Sequence, residues 1–282
     1  MKHVAAGPLA RLLALALVLL LQACAQPIVA QPEGTGTHAL SAQLARLDQD
    51  TSLDAAAPRY IFVGAALNAR EPVFDADIHL LDRTLAARLG PNYRSVLLSN
   101  RNITSGDREL PLASIDQLDE AMEWLARTKR PQDRFIVLLS SHGGPGLIEV
   151  QQPAFYPHPR LLSSHKLSAW MDELAPNPTW LIISACYAGS HLPQLYQDHV
   201  LSMSAAAADR PSFGCSATGD YTWFVRELAA SLDHAPDLDA LWAETLKRIT
   251  QRENEQKLAH SLPQWRAGAD WTDKLHEDWT HF

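Results

Sequence analysis

Two residues that can do covalent chemistry stand in matching positions along the chain. Cys186 lies three residues past the apolar run at 180–183 (WLII), and His142 lies three residues past the apolar run at 135–139 (FIVLL). Short apolar runs that end in turn-forming residues predict buried strands. A thiol and an imidazole brought to one site are the minimum that nucleophilic catalysis by cysteine requires.

The segment between these two strands predicts how they are arranged. Its apolar residues recur at helical spacing, and a proline follows them as a stop: Leu167, Trp170, Met171, Leu174 and Pro176. A strand, a helix and a second strand in this order predict a parallel, right-handed crossover. Parallel strands end at one edge of the sheet, where ligands bind in open α/β folds. We therefore expect Cys186 and His142 to meet at that edge.

The rest of the chain continues the alternation of strands and helices. Strands are predicted at residues 60–63, 95–98 and 200–208, and helices at 78–89, 114–125, 222–232 and 236–258. The polar loop at 209–216 leaves the fifth strand, so it should also reach the site edge. This alternation predicts an α/β fold with a mostly parallel central sheet flanked by helices. The tail from Pro263 onward has no assignment.

Length and composition restrict the classes of function. A chain of 282 residues with 46% hydrophobic residues can bury one sizeable core or two small ones, and we expect one catalytic domain at residues 58–282. A net charge of −8 without a long basic run argues against nucleic acid as a partner. The sequence has neither a C-x-x-C nor an H-E-x-x-H motif, so no metal or other cofactor is expected.

The N-terminal segment is predicted to direct the chain out of the cytoplasm. Lys2 and Arg11 precede an apolar run at 12–21, and the sequence LQAC ends at Cys24. This segment, residues 1–24, resembles a bacterial lipoprotein signal with lipid attached to Cys24, although an ordinary secretory signal is the alternative. Ala25 resembles the pattern of outer-membrane lipoproteins facing the periplasm. Residues 25–57, rich in Pro, Gly and Ala, predict a flexible tether with a short helical stretch at 39–47.

Three segments together carry a family resemblance. They are LSSHG at 139–143, ISACYAG at 183–189 and AAAADRPSFGCS at 205–216. In this order they resemble the hallmark blocks of the bacterial branch of the legumain-like (asparaginyl endopeptidase) cysteine peptidases. The resemblance implies a caspase-hemoglobinase fold, which is a caspase-like three-layer sandwich. It also implies a catalytic dyad of Cys186 and His142 that cleaves peptide bonds in a peptide or protein substrate.

Each residue of the predicted site has an expected role. Cys186 is the nucleophile, activated by a polar mouth and by the start of the helix that follows it. His142 is the general acid and base. The backbone N–H groups of Gly143 and Cys186 form an oxyanion hole. His191 competes for the role of base but is expected on the surface, and Cys215 is expected to pack in the core as a small apolar residue.

Substrate specificity is where the chain departs from the family. Plant and animal legumains carry an acid two positions before the nucleophile, where this chain has Ser184, and a second acid at the position of Val225 or Arg226. Ser212 would remain in the substrate pocket, and Asp220 is either a substitute acid or an exposed loop residue. Arg226 either faces the pocket, which would favour Asp or Glu before the scissile bond, or faces solvent.

Two alternatives to a hydrolytic peptidase remain open. A transpeptidase of the same family would pass the acyl group to an amine rather than to water. A non-catalytic envelope lipoprotein would keep the fold as a binding scaffold. Reaction of Cys186 with iodoacetamide at neutral pH separates an active thiol from an inert one.

Overall fold

The computed structural model of the protein describes residues 35–54, 56–101, 110–153 and 158–272. The predicted signal segment at 1–24, its Cys24 and residues 25–34 of the predicted tether lie outside these described residues. Among the helices of the described part of the chain, none is both long enough and apolar enough to cross a bilayer.

A six-stranded sheet forms the centre of the fold. The strands are β1 (Tyr60–Ala66), β2 (Tyr93–Ser99), β3 (Arg134–Ser140), β7 (Thr179–Ser184), β8 (Val200–Ser204) and β9 (Gln264–Ala267). Their order across the sheet is β2-β1-β3-β7-β8-β9. All neighbours are parallel except β9, which pairs antiparallel with β8. The predicted mostly parallel sheet is confirmed.

The helices of the described residues connect these strands. They are α1 (Thr35–Asp48), α2 (Pro72–Leu89), α3 (Ile115–Thr128), α4 (Ser164–Leu174), α5 (Trp223–Leu232), α6 (Leu238–Glu255) and the short α7 (Ala269–Thr272). Side-chain oxygens cap several of their first turns. The Ser114 hydroxyl accepts a hydrogen bond from the Gln117 N–H at 3.1 Å and so caps α3.

Two apolar clusters lie on the two faces of the sheet. One contains side chains from α1, α3 and α4, and the other contains side chains from α2, α5 and α6. Successive residues of β3 alternate between them, since Val137 belongs to the first cluster and Ile136 and Leu138 to the second. Both faces of the sheet are therefore covered, which gives the three-layer α/β sandwich.

The register of β3 and β7 decides where the two candidate catalytic residues lie. Ser140, the last residue of β3, is paired in parallel with Ser184, the last residue of β7. His142 and Cys186 each follow two residues later. The predicted meeting of both segments at one edge of the sheet is confirmed at the level of the backbone.

The flexible tether predicted for residues 25–57 is wrong for residues 35–48. These residues form α1, which contains the short helical stretch predicted at 39–47 and whose Leu40 and Leu44 are buried in the first cluster. The Gln43 side chain donates to the Leu97 carbonyl at 3.1 Å and accepts from the Leu97 N–H at 3.2 Å. Helix α1 is thus held by two buried leucines one turn apart and by the Gln43 amide, which pairs with backbone groups of the edge strand β2. The compact unit begins at Gly36 rather than at residue 58.

Several strands were not predicted from the sequence, and one predicted strand ends earlier than expected. A small antiparallel sheet of β4 (Gly143–Gly144), β5 (Leu147–Val150) and β6 (Arg160–Ser163) follows His142. Strand β8 ends at Ser204 rather than at residue 208. Strand β9 falls in the tail that had no assignment. Each of these strands has only two to five residues, so its own periodicity is weak.

Candidate active site

Cys186 lies in a tight turn beyond the end of β7. Tyr187 follows it in the left-handed backbone region (φ 60°), and its N–H donates to the Arg210 carbonyl at 2.8 Å. The Gly189 N–H donates to the Ala206 carbonyl at the same distance. The turn is thus fastened to residues 205–210, which leave β8. A left-handed residue other than glycine is a strained feature that the surrounding structure must hold in place.

The Cys186 thiol is surrounded by hydrogen-bonding groups of the loop after β8. The Ser212 N–H donates to Cys186 Sγ at 3.3 Å, and the Ser212 hydroxyl oxygen lies 3.6 Å from the same sulfur. The Cys215 thiol also forms a hydrogen bond with Cys186. Groups that donate to a sulfur favour its ionised form. The loop therefore serves the nucleophile directly, as its predicted position at the sheet edge requires.

These contacts change the acidity of both cysteines. The hydrogen bond from Cys215, assisted by the hydrogen bonds from Ser212 and by the charge of His142, lowers the pKa of Cys186 to about 5 even though burial opposes ionisation. The same hydrogen bond, together with burial, raises the pKa of Cys215. Cys186 is then a thiolate at neutral pH, and the Cys215 thiol keeps its proton and donates a hydrogen bond to it.

The helix expected to activate Cys186 has a different form. The element after the turn is a seven-residue 3-10 helix, Ala188–Gln194. A short 3-10 helix of this kind supplies little of the dipole that a longer α-helix would. The stabilisation of the thiolate comes instead from Cys215 and Ser212.

His142 is held by its backbone and by an aromatic neighbour. Its carbonyl accepts from the Glu149 N–H at 3.0 Å, and the hydroxyl of Ser141 donates to the Glu149 carbonyl at 2.6 Å. The ring of Phe74 on α2 meets the imidazole edge to face, with 5.1 Å between ring centroids. The imidazole is half-buried, so one part is fixed and another is open to a substrate.

Gly143 brings the two catalytic segments together. A Cβ atom at this position would lie 2.6 Å from the Cys186 carbonyl oxygen and 3.0 Å from Cβ of Ala185. No side chain fits there, so glycine permits the close approach of the two backbones. The role of Gly143 and Cys186 as an oxyanion hole stays a prediction, and this proximity is what it requires.

The predicted specificity residues divide into near and distant ones. Ser212 lies against the nucleophile, whereas Ser184 is 1% exposed and its hydroxyl is 2.9 Å from that of Thr222. Direct contact between Ser184 and substrate is at odds with this burial. Arg226 has 48% of its side chain exposed on α5, with its Nε 3.8 Å from Glu227. The solvent-facing alternative fits Arg226, and Asp220 is likewise an exposed loop residue.

His191 is not on the surface, so that expectation was wrong. The residue is fully buried, and its Nδ1 lies 2.7 Å from the Ser164 hydroxyl at the start of α4. Burial lowers the pKa of His191 to about 4. It is a neutral core residue at physiological pH, because the 3-10 helix turns it inward between the sheet and α4.

The roles of two residues next to the site were not predicted from the sequence. Cys215 packs partly against the core as expected, but its contact with Cys186 was missed. Asp77 was not singled out, although it stands among the apolar residues of α2, beside Phe74 and Ile78. An acid on the apolar face of a helix is the signal that could have indicated it.

In the described part of the chain, no cluster of three or more His, Cys, Asp or Glu side chains is arranged to hold a metal ion. The groups available for chemistry at this edge of the sheet are the Cys186 thiolate, the His142 imidazole and backbone N–H groups.

Comparison with known proteins assigns the family. No curated protein matches the chain. The sequence model of the Peptidase C13 family matches residues 121–266, about half of the chain. The matched span contains the strands β3, β7 and β8 together with His142, Cys186 and Ser212. The chain therefore belongs to the Peptidase C13 family, the legumain family of cysteine peptidases.

Proposed function

We propose that the protein is a cysteine endopeptidase of the bacterial envelope, with Cys186 as nucleophile and His142 as general acid and base. The observation that carries this proposal is the Cys186 thiol itself. It stands at the carboxyl end of β7, its pKa is lowered by Cys215, Ser212 and His142, and a turn with a left-handed residue holds it in place. A buried structural cysteine has no need of such a set of donors.

The first half of the reaction forms an acyl-enzyme. The Cys186 thiolate attacks the carbonyl carbon of the scissile peptide bond, and the oxygen gains a negative charge. Backbone N–H groups at Gly143 and Cys186 stabilise that oxyanion. His142 then protonates the leaving nitrogen, the C–N bond breaks, and the new amino terminus departs while the acyl group stays bound to sulfur as a thioester.

The second half returns the enzyme to its starting state. His142 takes a proton from water, the hydroxide oxygen adds to the thioester carbon, and the C–S bond breaks to release a carboxylic acid and the thiolate. An amine in place of water would give a new peptide bond, which is the transpeptidase outcome of the same acyl-enzyme. The roles of Cys186 and His142 are identical in both outcomes.

The test of the proposal is the pH dependence of alkylation. The rate at which iodoacetamide modifies each cysteine is measured by peptide mass analysis between pH 4 and 9. A cysteine with a lowered pKa is already thiolate in weak acid, so the rate at Cys186 should rise through about pH 5 and then level off. Modification should abolish cleavage of a fluorogenic peptide library in parallel. A rise only near the ordinary pKa of about 8.5, without loss of cleavage, would contradict the proposal.

Cys215 offers an internal comparison in the same experiment. Its pKa is raised, so it should be modified more slowly than Cys186 throughout the range. The variant Cys215→Ala removes the largest cause of the lowered pKa of Cys186. The alkylation midpoint of Cys186, which is the pH at which its alkylation rate reaches half of the plateau, should therefore move to higher pH. An unchanged midpoint would show that Cys215 does not stabilise the thiolate.

Lipid attachment at Cys24 forms the second part of the proposal and places the enzyme at the outer membrane, facing the periplasm. The LQAC segment supports it. Acyl chains on one residue bind a membrane firmly, so Cys24→Ser should move the protein from the membrane pellet to the soluble fraction at high salt. Cys215→Ala serves as the matched control and should stay in the pellet. A Cys24→Ser protein that still pellets would refute the lipid anchor without affecting the assignment of Cys186.

A further inference from the structure

A buried carboxyl group connects three segments of the candidate active site. Asp77 on α2 is fully buried. Its Oδ2 accepts hydrogen bonds from the Ser140 hydroxyl at 2.6 Å and from the Thr222 hydroxyl at 2.7 Å, and its Oδ1 accepts from the Thr222 N–H at 2.9 Å. Three donors thus converge on one carboxyl.

The network extends one step further, to β7. The Thr222 hydroxyl has a single proton, which Asp77 accepts, so the Ser184 hydroxyl 2.9 Å away is the donor to Thr222 Oγ1. The same Thr222 oxygen caps α5 by accepting from the Val225 N–H at 3.4 Å. The chain of hydrogen bonds thus runs from α2 through α5 to β7.

Each segment in this network leads directly to a functional group. Ser140 ends β3 two residues before His142, and Ser184 ends β7 two residues before Cys186. Thr222 closes the loop that holds Ser212 and Cys215 against the Cys186 thiol. A shift of Asp77 would therefore displace His142 and Cys186. It would also displace the groups that donate hydrogen bonds to the Cys186 sulfur.

Helix α2 reinforces the same arrangement through a second residue. Phe74 precedes Asp77 by three residues, so both side chains lie on one face of the helix. The Phe74 ring packs against the His142 imidazole at 5.1 Å between centroids. The helix that anchors the end of β3 through Asp77 therefore also supports the imidazole beyond that strand.

The burial of Asp77 has an energetic cost. Removal from water raises the pKa of Asp77 to about 7, against the lowering effect of its hydrogen bonds to Ser140 and Thr222. An apolar residue of similar size would avoid this desolvation. A costly acid placed at the junction of three catalytic segments indicates a role that packing alone would not require.

We propose that Asp77 is a positioning residue of the peptidase, which holds the ends of β3 and β7 and the cap of α5 in register. Through that register the Ser212 N–H and the Cys215 thiol stay directed at the Cys186 sulfur. The proposal rests on the proposed function, in which Cys186 is the nucleophile. It adds a residue from outside the span that the family model matches.

The main test compares Asp77→Ala and Asp77→Asn with wild type. The loop donors should lose their alignment in Asp77→Ala, so the midpoint of Cys186 alkylation should rise by about one pH unit. The kcat for peptide cleavage, normalised to folded protein, should fall about 10- to 100-fold with a smaller change in KM, because misplaced groups slow the chemical step. Asp77→Asn keeps the shape of the side chain, and its amide NH2 can donate to the Ser140 and Thr222 hydroxyls. The changes in the alkylation midpoint and in kcat should therefore be smaller than in Asp77→Ala.

Asp75→Ala is the matched control on the same helix. Asp75 lies two residues earlier, outside the Asp77 network, with its carboxyl 3.8 Å from the partly exposed His79. Its loss should leave both the alkylation midpoint and kcat unchanged. An Asp77→Ala protein that melts at a lower temperature but keeps the wild-type midpoint and kcat would reduce Asp77 to a structural role and overturn the proposal.

A second pair of variants keeps the proposal testable if Asp77→Ala does not fold. Thr222→Val keeps the shape of the side chain but removes the hydroxyl, whereas Thr222→Ser retains it. The valine variant should shift the midpoint as Asp77→Ala does, and the serine variant should restore wild-type behaviour. Equal behaviour of the two variants would count against the network.

The alkylation measurement separates failure of this inference from failure of the proposed function. If wild type cleaves no peptide but the alkylation midpoint of Cys186 still shifts in Asp77→Ala and Thr222→Val, the positioning effect stands and the peptidase assignment fails. If wild type cleaves peptides through Cys186 and no Asp77 or Thr222 variant changes the midpoint or kcat, the peptidase assignment stands and the positioning role fails.

Discussion

Replacing Cys186 with alanine is expected to lower kcat/KM for peptide cleavage by at least about 10³-fold, to the rate of the background reaction. The thiolate is the group that forms the bond to the substrate carbonyl. The two residues before Cys186 are Ala185 and the buried Ser184, whose hydroxyl is directed at Thr222. The chain also has no G-x-S-x-G elbow that would suggest a serine nucleophile instead.

The fold of the Cys186→Ala protein should remain intact. The thiol is half-buried and its removal opens little space, so thermal unfolding should move by only a few degrees. Cys215→Ala is the matched cysteine variant. It should retain the nucleophile and lose activity mainly on the acid side of the pH profile, because the pKa of Cys186 rises when its strongest donor is removed. Activity of Cys186→Ala within tenfold of wild type would refute the assignment of the nucleophile.

Most of the fold could be predicted from the sequence, because its main strands and helices have recognisable apolar patterns. The strands that became β1, β2, β3 and β7 are short apolar runs with clear ends, and the helices between them show regular apolar spacing. Once these elements are placed in order, the chirality and parallel pairing of crossovers leave few topologies. The edge at which Cys186 and His142 meet follows from the topology.

The short helical stretch predicted at 39–47 lies within α1 (Thr35–Asp48), but its packing into the core and the small sheet after His142 were not predicted. Helix α1 buries only a narrow stripe through Leu40 and Leu44, and the residues that hold Gln43 lie in β2. The small sheet after His142 contains strands of two to four residues. Tertiary contacts decide such segments, and local sequence preference alone does not show them.

The residues of the candidate site also divide into those that the sequence predicted and those that it did not. The nucleophile, the acid and base, and the loop with Ser212 could be placed because each follows a strand. Cys215 and Asp77 could not be assigned a role, since the first acts across a loop and the second reaches the site from a helix on one face of the sheet. The pocket role for Arg226 was an inference from a block alignment. The exposed helix face and the proximity of Glu227 place its charge in solvent instead.

Replacing His142 with alanine should separate two properties that depend on the same site. The leaving nitrogen loses its proton donor, so kcat/KM should fall by about 10²-fold or more. Alkylation of Cys186 in weak acid should persist, because the hydrogen bonds from Cys215 and Ser212 lower its pKa more than the charge of His142 does. The alkylation midpoint should move only slightly upward. A reactive thiolate in an enzyme that no longer turns over is the expected signature of a lost general acid and base.

His191→Ala is the control that decides between the two histidines near the nucleophile. His191 is fully buried against the Ser164 hydroxyl, with no access to a substrate, and its low pKa keeps it neutral. Its removal should destabilise the fold by about 1 to 3 kcal/mol, as expected when a buried side chain is truncated, and leave kcat/KM per folded molecule within a few fold of wild type. Denaturation and peptide cleavage measured on both variants give the comparison. The reverse pattern, with turnover lost in His191→Ala and kept in His142→Ala, would transfer the role of base to His191 and require the 3-10 helix to open during catalysis.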